Sequence, residues 1–316
     1  MKADVVALGE ILIDFASERT DENGYPVMAA HPGGAPANFL AAVAASGLGA
    51  AMIGKVGMDA FGRMLVGTLN AAGIETRGVV RDGSCFTTLA FVTFDENGDR
   101  SFSFARKPGA DTRLTEKELD LKLIDECRVF HFGTLSLTDE PAASATKAAV
   151  AYAKAHGKLI SFDPNLREVL WNDLEKAKEA MMWGLRQADI VKISDNEAEF
   201  LFKMNPAQAA RYMFDIFSPK LLFVTCGDKG SYYKNRNAAG FVHAEAAGKV
   251  IDTTGAGDIF GGSALAKTLL SGKEPEDLMN EDLVAIASYA SKVAGISVTR
   301  PGGISSIPKK EELAAL

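Results

Sequence analysis

The regular alternation of short apolar runs and longer helical patterns in the second half of this chain restricts its fold more than any other feature. Four apolar runs are typical of buried strands, and they cover residues 129–132, 159–162, 190–193 and 221–225. Helical patterns lie between them at residues 141–156, 174–186 and 206–217. Strands joined by helices pair in parallel, so we predict an α/β fold with a mostly parallel central sheet and helices on both faces.

The first half of the chain predicts a second, smaller sheet. Residues 86–94 and 100–106 alternate in a β-rich pattern around Asn97 and Gly98, a pair typical of hairpin turns. We expect this hairpin to join strands near residues 11–16 and 26–30, apart from the main sheet. Other patterns predict main-sheet strands at 5–8 and 51–55, and helices at 35–46, 61–72, 261–271 and 281–293. No linker or repeat interrupts the sequence, which predicts one domain over residues 1–316.

The composition argues against several classes of function. The chain has 41 acidic and 34 basic residues, a net charge of −7, which disfavours general binding to nucleic acid or anionic membranes. Its longest apolar stretch, residues 40–53, contains serine and glycine and is too short to span a membrane. Three widely spaced cysteines and four scattered histidines indicate a reduced protein without a zinc site. With Asp4 and Glu10 where a signal peptide would be apolar, we expect a cytoplasmic protein.

The segment 252–265 (DTTGAGDIFGGSAL) predicts a site for an anion. Gly255, Ala256 and Gly257 have almost no side chain to keep a ligand away from their backbone N–H groups. A helix-compatible run follows, so these N–H groups would lie at the start of a helix, where the dipole favours negative charge. Asp258 at the same place would repel an anion, unless it removes a proton beside a bound phosphate. This segment therefore indicates phosphoryl transfer.

Two other phosphate-loop patterns do not fit their motifs. Residues 49–55 have the spacing GxxxxGK, but Val56 follows where a Ser or Thr would hold magnesium, and the stretch enters a strand instead of a helix. A GxGxxG pattern begins at Gly47, but Met52 replaces its last glycine. Neither a P-loop nor a dinucleotide-binding turn is supported.

Further polar motifs follow predicted strands, each with an ordinary structural explanation. The loop 33–38 (GGAPAN) suits a polyol pocket or a helix cap, and the same ambiguity applies to Asp14. The stretch 163–167 (DPNLR) is a turn or, through Arg167, a phosphate clamp. Residues 192–199 combine Lys192 with acidic groups that suit magnesium or a helix cap, and 225–230 (TCGDKG) is a glycine turn. Their joint position at the carboxyl ends of parallel strands favours one common ligand site.

These motifs resemble those of the ribokinase/PfkB-type sugar kinases. The loop 33–38 with the following 53–62, and the segment 252–265, are similar to the two signatures of that family, and the likeness extends from Gly9 to Gly303. Residues 104–111 and 162–171 are most similar to fructokinases within it. The resemblance implies a ribokinase-like three-layer α/β/α fold with a small β-sheet lid built from about residues 11–31 and 86–108. It also implies that the lid is a candidate homodimer interface.

The resemblance assigns roles residue by residue. It implies that Asp258 is the catalytic base and that Gly255, Ala256 and Gly257 form the anion hole. The sugar would be bound by Asp14, Gly33, Gly34, Asn38, Arg106, Asp163 and Arg167. The nucleotide would be bound by Lys192, Asn196, Thr225, Gly227, Gly230 and Ser291, with Glu199 ordering Mg²⁺ through water. A monovalent cation, expected to be K⁺, would lie among Asp252, Thr254, Ser297, Arg300, Gly302 and Ser306.

The predicted function is ATP-dependent phosphorylation of a small sugar, with fructose converted to fructose 6-phosphate as the first choice. A kinase for 2-keto-3-deoxygluconate, to whose carboxylate Arg106 or Arg167 would bind, and a ribokinase are alternatives within the same reaction class. A non-catalytic regulator on the same scaffold is the alternative from a different class. The residues that such a regulator would be free to lose, Asp258 and the glycines before it, are all present.

Overall fold

The structure is a computed structural model that describes residues 2–94, 100–245 and 247–316. The predicted turn at Asn97 and Gly98 lies outside these residues. The strands are β1 Val5–Leu8, β2 Leu12–Thr20, β3 Pro26–Gly33, β4 Ala50–Gly57, β5 Ile74–Asp82, β6 Leu89–Phe94, β7 Arg100–Ala105, β8 Val129–Phe132, β9 Leu159–Phe162, β10 Ile190–Ser194, β11 Leu221–Thr225, β12 Gly230–Lys234 and β13 Ala239–His243. The α-helices are α1 Ala35–Ala45, α2 Ala60–Ala71, α3 Leu121–Glu126, α4 Ala142–Ala155, α5 Leu174–Gln187, α6 Asp195–Phe202, α7 Pro206–Phe217, α8 Ala256–Leu270, α9 Asn280–Ser297 and α10 Lys310–Leu313.

The main sheet is mostly parallel, as the alternating pattern predicts. In the described residues its nine strands lie in the order β13-β12-β11-β10-β9-β8-β1-β4-β5. The pairs β11–β12 and β12–β13 are antiparallel, and the other pairs are parallel. Strand β1 lies between β4 and β8 with its four residues completely buried. The chain first extends the sheet on one side of β1 and later on the other, so the order reverses between β1 and β8. Parallel sheets bind ligands in the crevice at such a reversal, outside the carboxyl ends of the strands.

Helices cover both faces of this sheet and complete the three-layer α/β/α architecture. Side chains of α3 to α7 pack in one apolar cluster with residues such as Phe130 and Phe162. Those of α1, α2, α8 and α9 pack in a second cluster on the other face, with residues such as Met52 and Phe223. The parallel strands read as continuous apolar runs because both of their faces are buried in this way.

Helices α1 and α8 approach each other very closely. A Cβ atom at Gly262 would lie 2.3 Å from the carbonyl oxygen of Phe39 and 3.0 Å from the Cβ atom of Ala42. Glycine is therefore required at this position, because any side chain would push the two helices apart. This contact brings the first turn of α1 beside the first turn of α8, where the candidate site lies.

The small sheet has four strands in the order β3-β2-β6-β7. Strands β2 and β6 are parallel, and the other two pairs are antiparallel. Asp14 pairs with Ala90, which in turn pairs with Phe104, so these three residues share one face of the sheet. The predicted second sheet is thus present, and its strands β2 and β3 are longer than the patterns indicated.

Several boundaries differ from the sequence-based expectations. The edge strand β5 was not predicted, because its exposed polar residues hide the apolar pattern. Helix α8 begins at Ala256 instead of residue 261, since its glycines, which usually indicate a turn, here permit close helix packing. Within the described residues, no helix is long and apolar enough to cross a membrane.

Candidate active site

The first turn of α8 forms the centre of the candidate site. Gly255 caps the helix in the left-handed conformation, with φ of 75°, and Ala256 and Gly257 are its first two residues. The first N–H groups of any α-helix have no acceptor within the helix, and the helix dipole adds partial positive charge there. The local structure therefore has the helix start on which the predicted anion-binding turn depends, with one long 3.3 Å bond from the N–H of Ala256 to the carbonyl oxygen of Thr253. Asp258, the third residue of the helix, is buried within it.

Asn38 of α1 holds the carboxylate of Asp258. Its Nδ2 atom donates a hydrogen bond of 3.0 Å to Oδ2 of Asp258, and both side chains are buried. Burial raises the pKa of Asp258, while the hydrogen bond from Asn38 and the positive charges of Lys192 and Arg167 counteract part of that rise. A carboxylate with a raised pKa is a stronger base at neutral pH. Asp258 thus has both the position and the basicity to accept a proton.

Asp14 provides a second carboxylate, on strand β2 of the small sheet. Burial raises its pKa from the usual 3.8 to about 7, with Arg167 opposing the rise and Asp258 adding to it. A Cβ atom at Gly33 would lie 2.3 Å from Oδ2 of Asp14, so a side chain at this position would displace the carboxylate. The neighbouring Gly34 adopts φ of 111° at the start of α1. The loop 33–38 therefore connects the two carboxylates, with Asn38 at one end and Asp14 beside the other.

A buried ion pair lies against the same turn. Nζ of Lys192 on β10 is 3.0 Å from Oδ2 of Asp163, which follows β9. A Cβ atom at Gly257 would be only 2.9 Å from that ammonium group, so Lys192 lies directly beside the anion-binding turn. Burial alone would lower the pKa of Lys192, but the carboxylates of Asp163, Glu197 and Asp258 raise it. Lys192 therefore remains positively charged and reinforces the attraction for an anion.

The loop after β9 contributes more than the sequence predicted. Arg167 is partly buried and acts electrostatically on both Asp14 and Asp258. Asn165, which was not predicted as a site residue, adopts φ of 49°, and its side chain counteracts part of the rise in the pKa of Asp258. Asparagine tolerates this left-handed conformation better than most residues, and the DPN turn was the only available signal. The loop thus contributes two side chains, those of Asn165 and Arg167, that lower the pKa of Asp258.

Helix α6 carries one buried and one exposed glutamate. Glu197 is buried, where Oε1 accepts a bond from the backbone N–H of Leu166 and Oε2 accepts bonds from Ser194. Asn196 and Glu199 are exposed and line a cleft of about 360 Å³ that also includes Lys229. Of these two glutamates, Glu197 is the one that acts electrostatically on the Asp163–Lys192 pair. Glu197 was not predicted as a site residue. It completes the capping box of α6, whose cap is Ser194.

The other predicted nucleotide residues lie farther along the same sheet edge. Thr225 ends β11, and Gly227 and Gly230 flank the following turn with φ of 57° and 127°. A side chain at Gly230 would collide with the carbonyl oxygen of Val242, at 2.0 Å. Ser291 is buried on α9. These positions extend the site from the anion-binding turn toward the antiparallel edge of the main sheet.

Asp252 ties the C-terminal loop to the start of α8. Its Oδ1 atom accepts bonds from the N–H and hydroxyl groups of Thr254, and Oδ2 accepts a 2.8 Å bond from the N–H of Gly302. The hydroxyl of Ser306 donates to the carbonyl oxygen of Gly303 at 2.8 Å. The remaining residues of the predicted cation loop are Ser297, whose hydroxyl donates to the carbonyl oxygen of Ala294, and Arg300, which pairs with Glu312.

Among the predicted sugar-binding residues, Arg106 stands apart from the others. Its guanidinium group is buried and bonded to Asp111, Thr138 and the carbonyl oxygen of Leu135. The structure therefore brings together Asp14, Gly33, Gly34, Asn38, Asp163, Arg167, Lys192 and Asp258 around the turn at 255–257, and directs the Arg106 side chain into a separate network. In the described residues, no three His, Cys, Asp or Glu side chains group as a metal site.

Comparison with known proteins points to one family. Residues 2–310 match the profile described as pfkB family carbohydrate kinase. The relative named Fructokinase-1 of Zea mays is 42% identical over 317 residues, covering 99% of this chain and 97% of the relative. A crystal structure of fructokinase with bound ATP from Xylella fastidiosa superimposes with a TM-score of 0.89 at 30% identity, covering 100% and 98% of the two chains. A fructokinase from Vibrio cholerae O395, bound to fructose, ADP and calcium, gives 0.87 at 30% identity, covering 99% and 98%.

The raised pKa of Asp14 predicts a measurable change in stability with pH. Protonated Asp14 favours the folded state, and this contribution is complete below pH 3.8 and lost as the pH rises through about 7. The Asp14→Asn variant cannot ionise at this position. The difference between its free energy of unfolding and that of the wild type should therefore increase by about 1–3 kcal/mol from pH 4 to pH 7, since one pKa unit corresponds to about 1.4 kcal/mol. Urea unfolding at several pH values measures this difference. The exposed Asp215→Asn is the control and should show no such trend, and a parallel pH dependence of Asp14→Asn and wild type would contradict the prediction.

Proposed function

Because the chain belongs to the pfkB family of carbohydrate kinases, we propose that it phosphorylates fructose, transferring the γ-phosphate of ATP to a hydroxymethyl group of the sugar. The observation that carries this conclusion is Asp258, a buried carboxylate with a raised pKa in the first turn of α8, next to the anion-binding N–H groups. Relatives that cover almost the whole chain are fructokinases. The product is fructose 6-phosphate.

The proposed chemistry depends on Asp258 and on the backbone N–H groups of the three residues before it. In our proposal, the sugar hydroxyl lies between Asp258 and the γ-phosphate, and Asp258 accepts its proton as the oxygen attacks in line. The N–H groups of Gly255, Ala256 and Gly257 stabilise the charge that spreads over the transferred phosphoryl group. Asn38 keeps the Asp258 carboxylate in place through its 3.0 Å hydrogen bond. Lys192 adds a fixed positive charge beside the turn.

The sugar would be held between the small sheet and the main sheet. We propose that Asp14, Gly33, Gly34, Asn38, Asp163 and Arg167 bind it, and that the small sheet acts as a lid within a single domain over residues 1–316. Asp14 supports this assignment because it is a carboxylate on the small sheet that interacts electrostatically with Asp258. A lid that excludes water limits the wasteful hydrolysis of ATP.

The enzyme uses ATP and a metal ion, which we propose to be Mg²⁺. Magnesium neutralises charge on the phosphates and keeps part of its water shell. Glu199 and Asn196 fit such an ion because their exposed oxygen atoms leave room for bridging water, whereas both Glu197 oxygens already accept bonds. Thr225, Gly227, Gly230 and Ser291 would hold the nucleotide.

We also propose that the protein is cytoplasmic, where its three free cysteines would stay reduced, and that it forms a dimer through the small sheet. Phe86 supports the second proposal, since it is 78% exposed next to that sheet. Phe91, Phe102 and Phe104 are only partly buried, so they add apolar surface there. The molecular mass in solution, compared between wild type and Phe86→Ser, tests dimer formation.

Replacing Asp258 should abolish proton transfer without disturbing binding. Asp258→Asn is expected to lower kcat by about 10²- to 10⁴-fold, the usual contribution of a general base, and to change the fructose KM much less. The asparagine retains the shape of the side chain and a polar contact with Asn38. Steady-state kinetics measure both constants, with Asp215→Asn at an exposed position of α7 as the matched control. Near-normal turnover in Asp258→Asn would rule out this residue as the base.

The choice of fructose is tested by a panel of acceptors. A coupled assay of ADP formation with fructose, ribose, 2-keto-3-deoxygluconate, fructose 1-phosphate and adenosine should give the highest kcat/KM for fructose, and NMR of the product should show phosphate on a hydroxymethyl oxygen. A higher kcat/KM for another acceptor would replace fructose as the substrate. No transfer to any acceptor would favour the non-catalytic alternative.

A monovalent cation should increase the activity. We propose K⁺ near Asp252, Thr254, Ser297, Arg300, Gly302 and Ser306, with backbone carbonyl oxygens as ligands. Support comes from Asp252, which holds the loop at Gly302 against the start of α8, so that an ion there would order the anion-binding turn. Activity in K⁺ should exceed that in tetramethylammonium at equal ionic strength. Equal activities in the two salts would exclude a cation requirement.

A further inference from the structure

Asp111 lies where the small sheet joins the rest of the molecule. The chain enters β6 through Thr88 and leaves β7 through Arg106, and Asp111 follows in a short turn at Ala110–Arg113. Oδ1 of Asp111 accepts a hydrogen bond from the Thr88 hydroxyl. Its Oδ2 atom accepts a 2.8 Å bond from Nε of Arg106 and is 2.7 Å from Nη2. One carboxylate thus binds both connections, and we refer to Thr88, Arg106 and Asp111 as the lid clamp.

The lid clamp is fixed to the main sheet. Nη1 of Arg106 donates to the hydroxyl of Thr138 at 2.7 Å, and Nη2 donates to the carbonyl oxygen of Leu135 at 2.8 Å. Both acceptors belong to the segment that follows β8, at the carboxyl edge where the site lies. The side chains of Arg106 and Asp111 are 3% and 2% exposed. A buried ion pair of this kind needs good geometry and further hydrogen bonds to offset its desolvation, and here both are present.

The same clamp reaches the candidate sugar site through one strand. The carbonyl oxygen of Thr88 accepts a 3.1 Å bond from the N–H of Ile13, the residue before Asp14. In the adjoining ladder, Asp14 pairs with Ala90 in β6. The position of Thr88 therefore determines the position of the β2 backbone at Asp14. A shift at the clamp would move the Asp14 carboxylate relative to Asp258.

The packing around the clamp leaves no room for adjustment. A Cβ atom at Gly109 would lie 1.9 Å from Oγ1 of Thr88, 2.9 Å from Oδ1 of Asp111 and 3.0 Å from Cγ of Arg106. Next to it, the N–H of Ala110 donates a 2.9 Å bond to the carbonyl oxygen of Phe86. The two connections are thus held together by backbone as well as side-chain bonds.

We infer that Asp111 is a positioning residue for phosphoryl transfer, which holds Thr88 and Arg106 so that the small sheet presents Asp14 to the sugar. Asp111 does not touch the reacting atoms. Arg106 serves the same clamp, since its Nε, Nη1 and Nη2 atoms all donate to protein acceptors. The inference rests on the proposed function only in taking Asp14 as a ligand of the sugar.

Isosteric changes at Thr88 test the clamp without altering any charge. Thr88→Val removes the hydroxyl that donates to Asp111, whereas Thr88→Ser retains it. The fructose KM should rise about 2- to 10-fold in Thr88→Val, as expected for one lost hydrogen bond, and stay near the wild-type value in Thr88→Ser. The ATP KM should change less than about 2-fold, because the anion-binding turn is untouched. Thr268→Val, which removes an equally buried hydroxyl bond within α8, is the control for a general loss of stability.

Asp111→Asn tests the ion pair itself. It should raise the fructose KM more than Thr88→Val does, and it should release more ADP than sugar phosphate, because a misplaced lid admits water to the γ-phosphate. Asp111→Asn and Arg106→Lys should also be non-additive in the double variant, since both break one clamp. A raised fructose KM in Arg106→Lys with no change in Asp111→Asn or Thr88→Val would overturn the inference and assign Arg106 to direct sugar binding.

Amide hydrogen exchange separates a failure of the clamp from a failure of the proposed function. In the unliganded protein, Thr88→Val and Asp111→Asn should speed exchange in β2 and β6, while β8 to β10 of the main sheet keep their protection. This measurement needs no substrate, so it applies even if fructose is not phosphorylated. Unchanged exchange in β2 and β6 in both variants would overturn the clamp. Wild-type transfer to fructose is decided independently by the acceptor panel.

Discussion

The close contact between α1 and α8 is the constraint on which the rest of the site depends. The two helix backbones approach closely because Gly262 has no Cβ atom to place against the carbonyl oxygen of Phe39. This approach puts Asn38, in the first turn of one helix, within hydrogen-bond distance of Asp258, in the first turn of the other. The proposed base, Asp258, is therefore positioned by helix packing and not by a loop. Catalytic groups on rigid elements are held more accurately than groups on loops.

The electrostatics of the site follow from that rigid burial. Asp14, Asp163 and Asp258 are carboxylates whose pKa values burial raises, and Lys192 and Arg167 are the cations that oppose the rise. Charges held this way cost folding free energy, which is common at functional sites. In the mechanism we propose, this arrangement serves phosphoryl transfer. The start of α8 would offer the phosphate a preorganised positive environment, and Asp258 would accept the hydroxyl proton with little solvent rearrangement.

The sequence predicted the architecture better than the geometry of the site. Buried parallel strands such as β8 to β11 are continuous apolar runs, and their alternation with helices leaves few topologies open. Strand β5 escaped prediction because an edge strand needs only one apolar face, and the start of α8 escaped because glycine usually breaks helices. The bond between Asn38 and Asp258 joins residues 220 positions apart. No local pattern contains such a contact, so a motif can suggest the role of each residue but not their hydrogen bond.

Helix α6 shows why spacing alone is insufficient. An α-helix turns by about 100° per residue, so residues two positions apart point in nearly opposite directions. Glu199 lies three residues after Asn196 and faces the solvent-exposed cleft. Glu197 lies three residues after Ser194 and acts on the buried Asp163–Lys192 pair. The two pairs have the same three-residue spacing, and both glutamates suit the first turns of a helix. Only the packing of α6 distinguishes the carboxylate that organises the buried charges from the one that is free to meet a hydrated ion.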